Sequence, residues 1–184
     1  MEVKGTAVRP TPLFVRQRYN ARFDEWLESL PDLSRKIMSD KISTDAWYEL
    51  GDAMVTPTAR ICEMFFGGEN RGAWEVGRFS ADYSLWGLYR LFVKIGSPQH
   101  LVEKAAQIFS TYYRPSRMEI AERGLNYAAA RILEFAEPNV LVEMRIGGWI
   151  ERALEISGCT DVQSKVTHSL ARGDQYTEFL SEWR

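Results

Sequence analysis

The chain has 184 residues, of which 45% are hydrophobic and 26% are charged, and its formal net charge is −2. A chain of this length can bury its own apolar core, so we expect one domain over residues 1–184. Its basic residues are scattered along the sequence, which argues against a nucleic-acid partner. The sequence has no long uncharged apolar window, which argues against a membrane span and a signal peptide, and the cytoplasm is the expected location.

Helical periodicity dominates the chain as far as Pro115. Apolar residues recur at helical spacing in three early runs, at 11–30, 45–66 and 71–95. The second run is expected to break near Thr56-Pro57, because Pro is favoured at the first helical position. A further helix starts after Ser97, has the clearest apolar stripe of the sequence and ends before Pro115. Residues 1–114 are therefore predicted to form a mainly helical half.

Beyond Pro115 the apolar pattern changes to alternation, which is typical of strands. Two alternating runs flank a turn at Gly124-Leu125-Asn126 and predict a hairpin. Asn139 begins a helical pattern that stops at Gly158, and two more alternating runs follow, separated by a turn at Arg172-Gly173-Asp174. We therefore predict an α+β fold, in which the N-terminal helical layer packs on a small antiparallel sheet of strand-strand-helix-strand-strand order in residues 115–184.

Motifs that would indicate an enzyme or a metal site are not found in the sequence. Cys62 and Cys159 form no CxxC pair and are expected to be small buried hydrophobes. His100 and His168 are the only histidines, and neither belongs to a metal-binding spacing. There is no nucleophile elbow, phosphate loop or dinucleotide fingerprint. We therefore expect no metal and no catalytic residues, with a small reductase-like activity kept as the minor alternative.

The aromatic content is the most informative feature, because six Trp and eight Tyr supply large amphipathic surfaces. Such side chains line ligand cavities, although an ordinary core uses them as well. The residues that we expect to line a cavity are Trp47, Trp86, Tyr89, Phe92, Phe109, Tyr112, Tyr113 and Trp149. Arg78, Arg114 and Arg117 are the candidates for anchoring an acidic head group, with solvated surface arginines as the alternative.

The order of several short motifs resembles one superfamily, which comprises the haem nitric-oxide-binding domains, the 4-vinyl-reductase-type ligand-binding domains and the vesicle-tethering TRAPP subunits. The motifs that carry the resemblance span nearly the whole chain. They are Lys4-Gly5-Thr6, Leu30-Pro31, Trp47-Tyr48, Gly77-Arg78, Gly96-Ser97-Pro98, Gly147-Gly148-Trp149, Ala153-Leu154 and Gly173-Asp174-Gln175-Tyr176-Thr177-Glu178-Phe179. The resemblance is strongest to an uncharacterised bacterial branch. It implies a cavity between the two halves and frequent dimerisation.

Two departures from the family patterns affect the expected cofactors. The 4-vinyl-reductase-type domains hold zinc with two cysteines of the last hairpin, whereas Ser169 and Thr177 stand at those positions here, and hydroxyls are poor zinc ligands. The haem-binding relatives use an axial histidine and a Tyr-x-Ser-x-Arg stretch. In this chain His100 lies near a helix start, but the corresponding stretch, Tyr113-Arg114-Pro115-Ser116-Arg117, is one residue off. The sequence therefore predicts no cofactor, with neither zinc nor haem expected.

Two functions are consistent with these observations. The first is a non-catalytic sensor or adaptor that binds a small apolar or aromatic ligand in a cavity between the helical half and the sheet. The second is a protein-protein interaction module similar to the TRAPP subunits, with a cavity filled by side chains and an interface for a partner protein or a second copy. The expected partners are a small apolar molecule or another protein, and a homodimer is the expected assembly.

Overall fold

The computed structural model describes residues 1–85 and 98–184, and its described part is rich in helix. Most of the short helices precede residue 85, and the longest helix lies between two strand pairs. The α-helices are α1 (Gly5–Val8), α2 (Pro10–Arg18), α3 (Phe23–Glu28), α4 (Asp32–Ser39), α5 (Thr56–Phe65), α6 (Arg71–Ser84), α7 (Pro98–Ile108) and α8 (Val140–Ser157). Short 3-10 turns cover Asn20–Arg22, Phe109–Thr111 and Leu170–Arg172, and a π-helical turn, Gly51–Val55, precedes α5.

Two antiparallel sheets complete the fold. The smaller sheet has the order β2-β1-β3, with β1 at Glu2–Lys4, β2 at Trp47–Glu49 and β3 at Tyr113–Arg114. The larger sheet has the order β4-β5-β7-β6, with strands at Ser116–Arg123, Tyr127–Phe135, Gln163–His168 and Thr177–Glu182 for β4 to β7. Every pair of neighbouring strands is antiparallel. The predicted α+β class with an antiparallel sheet is confirmed.

The C-terminal elements follow the sequence pattern closely. The hairpin of β4 and β5, helix α8 and the β6–β7 pair occur in the predicted order. The side chain of Asn139 caps α8 by accepting a hydrogen bond from the Leu141 N–H at 2.9 Å, which satisfies one of the free amides of the first turn. Gly158 ends α8 at a φ of 105°, a conformation that favours glycine.

The N-terminal half differs from the predicted helices in two places. The single helix expected at 11–30 is interrupted at Tyr19, which leaves the helical region, and the chain resumes as α3. The ring of Tyr19 stacks on that of Phe65 with centroids 4.1 Å apart, so a tertiary contact accompanies the break. The run expected at 45–66 begins as strand β2, which pairs with β1. Strand β1 was not predicted, because its partners are distant in sequence.

Helix α8 packs directly on α6, and glycines make the close approach possible. A Cβ atom at Gly77 would lie 2.0 Å from the carbonyl oxygen of Arg145, and one at Gly148 would lie 2.2 Å from that of Trp74. Side chains on the same pair of helices form ion pairs, among them Arg78 with Glu151 and Glu155. This contact holds α6 and α8 together at one side of the cavity described below.

No helix within residues 1–85 and 98–184 combines the length and the apolar character needed to cross a bilayer.

Candidate functional site

A cavity of about 120 Å³ lies between the helical half and the larger sheet. Helices α1, α6, α7 and α8 contribute to its walls, together with the chain that leads from α7 into strands β3 and β4. The described lining residues are Thr6, Ala7, Gly77, Ser80, Ser84, Ala105, Ile108, Phe109, Tyr112, Tyr113, Met118, Arg145, Ile146, Trp149 and Ile150. A cavity of about this size, if apolar, accepts a benzene-sized molecule.

The structure brings half of the predicted wall residues to this cavity. Phe109, Tyr112, Tyr113 and Trp149 all line it. The rings of Phe109 and Tyr113 lie 5.1 Å apart, and the indole N–H of Trp149 donates a hydrogen bond of 3.3 Å to the hydroxyl of Ser84, another wall residue. Their role in ligand binding stays a prediction.

The other predicted wall residues lie elsewhere or are not described. Trp47 does not line the cavity, because it belongs to strand β2 of the smaller sheet, where Lys4 and Arg114 place their cationic groups over its ring. The predictions for Trp86, Tyr89 and Phe92 fall outside the described residues.

The three arginines predicted as anchors point to carboxylates of the protein. Arg78 bonds to Glu155 at 2.9 Å and to Glu151, between α6 and α8. Arg114 pairs with Glu2 at 2.7 Å. Arg117 pairs with Glu134 at 3.1 Å across the β4–β5 hairpin. None of the three is among the described lining residues of the cavity, and their role as ligand anchors stays a prediction.

Arg145 of α8 is the one cationic side chain among the described lining residues, and the sequence analysis missed it. Its side chain is 3% exposed. Nη1 donates hydrogen bonds of 2.9 Å to the hydroxyls of Thr11 and Thr58, and Nη2 donates one of 3.1 Å to the carbonyl of Ala7. Arg145 therefore connects α8 to α1, α2 and α5. A single Arg within a helical apolar stripe is the only signal that sequence offers for such a position.

Burial determines the electrostatics of this corner of the cavity. It lowers the pKa of Arg145 to about 10, so the guanidinium is still charged at neutral pH. Burial also raises the pKa of the Tyr113 phenol, while the positive charge of Arg145 acts in the opposite direction. The two groups therefore lie close enough to affect each other's ionisation.

Ser169 and Thr177, the positions at which relatives have zinc-binding cysteines, hold a carboxylate instead. Both hydroxyls donate to Glu143 of α8, at 2.6 Å and 2.5 Å, and the Ala171 N–H adds a third hydrogen bond of 3.2 Å. Glu143 is 5% exposed. These contacts tie the β6–β7 connection to α8, on a different face of the helix from Arg145.

The histidines and cysteines lie away from the cavity. His100 is exposed in the first turn of α7, and the Nδ1 atom of His168 lies 3.6 Å from Glu178 on the larger sheet. Cys62 and Cys159 are buried free thiols whose pKa values burial raises. Across residues 1–85 and 98–184 no three His, Cys, Asp or Glu side chains are grouped as a metal site would need.

The cavity walls provide part of what a haem group needs. Tyr112, Tyr113 and Met118 offer phenol and thioether groups, and both kinds of group ligate haem iron in known proteins. The volume of about 120 Å³ suits a single aromatic ring, whereas a porphyrin is several times larger. The described wall residues therefore include side chains that could bind haem iron, but the cavity is too small for the whole porphyrin.

The sequence matches no protein-family model and no curated protein. Solved structures do match. An H-NOX protein from S. oneidensis in the Fe(II)NO ligation state has a TM-score of 0.72 and 13% identity, with 98% of this chain and 99% of that chain covered. The unliganded Fe(II) H-NOX protein from K. algicida gives 0.68 and 9%, covering 98% and 96%. A single-site variant of the T. tengcongensis H-NOX gives 0.67 and 14%, covering 98% and 97%.

These comparisons correct the cofactor prediction. The expectation of no cofactor, with haem unlikely, is wrong, because the structures that share its fold include H-NOX proteins that hold Fe(II), one of them in an Fe(II)NO state. That expectation depended on the linear spacing of Tyr113, Ser116 and Arg117 and on the position of His100, and such spacings do not show how the whole chain folds around a cavity. The comparisons support the haem-nitric-oxide-binding part of the predicted resemblance and give no support to its TRAPP and 4-vinyl-reductase parts. The chain has the fold of the H-NOX proteins over nearly its whole length.

Proposed function

We propose that this chain is a non-catalytic sensor domain that binds a small, mainly apolar ligand in the cavity between its helical half and its larger sheet. The observation that carries the proposal is the cavity itself, about 120 Å³ in volume and walled mainly by apolar side chains. Solid packing is the rule in protein interiors, so a space of this size at the junction of two layers favours a ligand site.

The comparisons support the sensor role. The H-NOX protein from S. oneidensis is described in an Fe(II)NO state, which is a small ligand on an iron centre within the same fold. The cavity of the present chain also touches elements from both halves, since α6, α7, α8 and β4 all contribute to its walls. A ligand placed there contacts both layers at once and therefore changes how they pack together.

Ligand-induced stabilisation tests this proposal. Toluene is a suitable probe, because it is close to benzene in size and carries no charge. A ligand that binds only the folded state at about 100 times its Kd stabilises it by about 2.7 kcal/mol, which raises the Tm of a chain of this size by roughly 5–10 °C. We expect a rise of that order in the wild-type protein.

A matched pair of variants on α7 shows whether the probe occupies the cavity. Ala105 lines the cavity, whereas Gln107 of the same helix is exposed. Ala105→Phe places a ring in the space and is expected to abolish the toluene effect, and Gln107→Phe is expected to leave it unchanged. If toluene has no effect on the wild type, or an equal effect on all three proteins, the cavity is not a ligand site.

Haem is a second candidate ligand for the same sensor role, favoured by the Fe(II) states of the H-NOX structures, and its binding would require the cavity to widen well beyond about 120 Å³. Tyr112, Tyr113 and Met118 are the cavity residues with side chains that suit the iron. Haem held there would supply an iron that can bind a gas. Reconstitution with haemin followed by absorption spectroscopy tests this candidate, because a sharp Soret band requires a protein-ligated iron. A spectrum identical to free haemin rejects it.

We further propose that the sensor acts as a homodimer whose assembly responds to the ligand. Light scattering with and without toluene tests this part separately. A mass that is monomeric under both conditions rejects the dimer and leaves the ligand site unaffected. The interaction-module alternative instead predicts a filled interior, in which no probe of any kind stabilises the protein.

A further inference from the structure

Arg145 has no carboxylate partner, although it is one of the most deeply buried charges of the chain. Its three hydrogen bonds all go to uncharged acceptors, namely the hydroxyls of Thr11 and Thr58 and the carbonyl of Ala7. A guanidinium carries more N–H groups than these bonds use. Within residues 1–85 and 98–184, Nε and one N–H of Nη2 donate to no acceptor.

The missing partner is not hidden in the rest of the chain. Residues 86–97 contain neither Asp nor Glu. Every side-chain carboxylate of the protein therefore belongs to the described residues, and none of them forms an ion pair with Arg145. The positive charge has to be neutralised by something other than the protein, or it stays uncompensated in a buried position, which is costly.

Other partly buried arginines of the described structure behave differently. Arg78 and Arg152 both pair with Glu155, at 2.9 Å and 2.6 Å, and Arg131 pairs with Glu178 at 2.6 Å. Each of these side chains is about a quarter to a third exposed, so water also solvates it. Arg145 is only 3% exposed and pairs with no side-chain carboxylate, and it lines the cavity.

We propose that the ligand of the cavity is a small organic carboxylate, with a body about the size of a benzene ring, whose carboxylate pairs with Arg145. The inference rests on the proposed function and specifies its ligand class. Two N–H groups of a guanidinium can donate side by side to the two oxygens of a carboxylate. The apolar wall residues, such as Ile108, Ile146 and Ile150, would contact the ring of the ligand. A cationic ligand would be repelled by Arg145, and a purely apolar ligand would leave the buried charge without a partner.

Charge at neutral pH supports this assignment. The buried guanidinium has a pKa of about 10, so it is a cation under the conditions at which a carboxylic acid is an anion. Tyr113, the nearest phenol with a raised pKa, stays neutral at the same pH and does not compete as a counter-ion. The ion pair is therefore available across the neutral range.

Binding of benzoate, benzyl alcohol and toluene to three proteins tests the inference. The three probes share a ring and differ in charge. The proteins are the wild type, Arg145→Met and Arg152→Met, the last being a control that removes an arginine of the same helix outside the cavity. We expect benzoate to bind the wild type and Arg152→Met at least tenfold more tightly than it binds Arg145→Met. We expect the affinity of toluene for Arg145→Met to stay within threefold of wild type or to increase.

The outcomes separate this inference from the proposed function. If toluene binds the wild type and benzoate does not, or if benzoate binds Arg145→Met as well as wild type, the carboxylate assignment is rejected while the ligand site stands. If neither probe binds, the proposed function fails and this inference fails with it. Should Arg145→Met not fold, the wild type alone decides the matter, because benzoate must then bind at least tenfold more tightly than benzyl alcohol.

Discussion

Glu143 and Arg145 are two buried charges of opposite sign on the same helix, yet their surroundings differ. Glu143 is 5% exposed and accepts hydrogen bonds from the Ser169 and Thr177 hydroxyls and the Ala171 N–H. Arg145 is 3% exposed, makes fewer bonds than its N–H groups allow and borders the cavity. The first site is complete within the protein, and the second is open towards a space that a ligand can enter.

This contrast distinguishes a structural buried charge from one available for binding. A charge whose hydrogen-bonding capacity is used by donors from one neighbouring hairpin holds that hairpin in place. A charge whose capacity is partly unused, next to an apolar space, is more informative about function. Glu143 and Arg145 are similarly buried, and they differ in how many of their hydrogen-bonding groups have a partner in the protein.

Glu143→Met should have the largest effect on stability. The substitution keeps the volume but leaves the hydroxyls of Ser169 and Thr177 and the Ala171 N–H without their acceptor. Each orphaned donor costs about 1–3 kcal/mol, and partial relaxation brings the expected total to about 3 kcal/mol. Urea unfolding measures it, with the exposed Glu182→Met as control. A loss below about 1 kcal/mol would show that Glu143 is not a structural anchor.

Thr177→Val tests the Glu143 site more narrowly, because it removes one hydroxyl donor to Glu143 and preserves the shape of the side chain. Its hydroxyl donates to Glu143 at 2.5 Å and accepts from the Leu170 N–H at 3.0 Å. We expect a loss of about 1–2 kcal/mol in the free energy of unfolding. Thr160→Val, at an exposed position, should change it by less than about 0.5 kcal/mol. Equal effects of the two substitutions would contradict the assignment.

Glu155 is an intermediate case on α8, because it is partly exposed and paired with protein cations. Burial opposes its ionisation, but hydrogen bonds from Arg78 and Arg152 outweigh burial and lower its pKa. A lowered folded-state pKa means that the stabilisation is present above the ordinary carboxyl value and is lost as the pH falls through the folded-state pKa. Glu155→Gln should cost about 1 kcal/mol or less at pH 7, after screening by solvent, and progressively less as the pH falls below the ordinary carboxyl value. A loss of unfolding free energy that is larger at acid pH than at pH 7 would refute this prediction.

Arg145→Met should have the smallest effect on stability at neutral pH, below about 1 kcal/mol. The substitution removes three hydrogen bonds to neutral groups, but it also removes the cost of a buried charge without an acid partner, and the two changes offset each other. Urea unfolding of this variant beside Glu143→Met is the matched measurement. A loss as large as that of Glu143→Met would make the two charges equivalent and remove the contrast.

The parts of the site that could be predicted are those whose residues lie close together in sequence. Phe109, Tyr112 and Tyr113 lie close together in the chain, and a helical stripe followed by Pro115 was enough to identify them as wall residues. Arg78 was nominated as an anchor for an acidic head group, but it pairs with Glu151 and Glu155, which lie on a helix far away in sequence. The local sequence pattern does not show which distant residue a side chain will contact.

Local periodicity and turn chemistry were enough to predict the α+β class, the β4–β5 hairpin, helix α8 with its cap at Asn139 and its end at Gly158, and the following strand pair. The pairing of β1 with β2 and β3, and the burial of Arg145 beside a cavity, became visible only in the folded chain. The physical reason is that burial and charge compensation are properties of the whole assembly of elements. Residues far apart in the chain together provide the hydrogen-bond acceptors of Arg145 and the walls of the cavity.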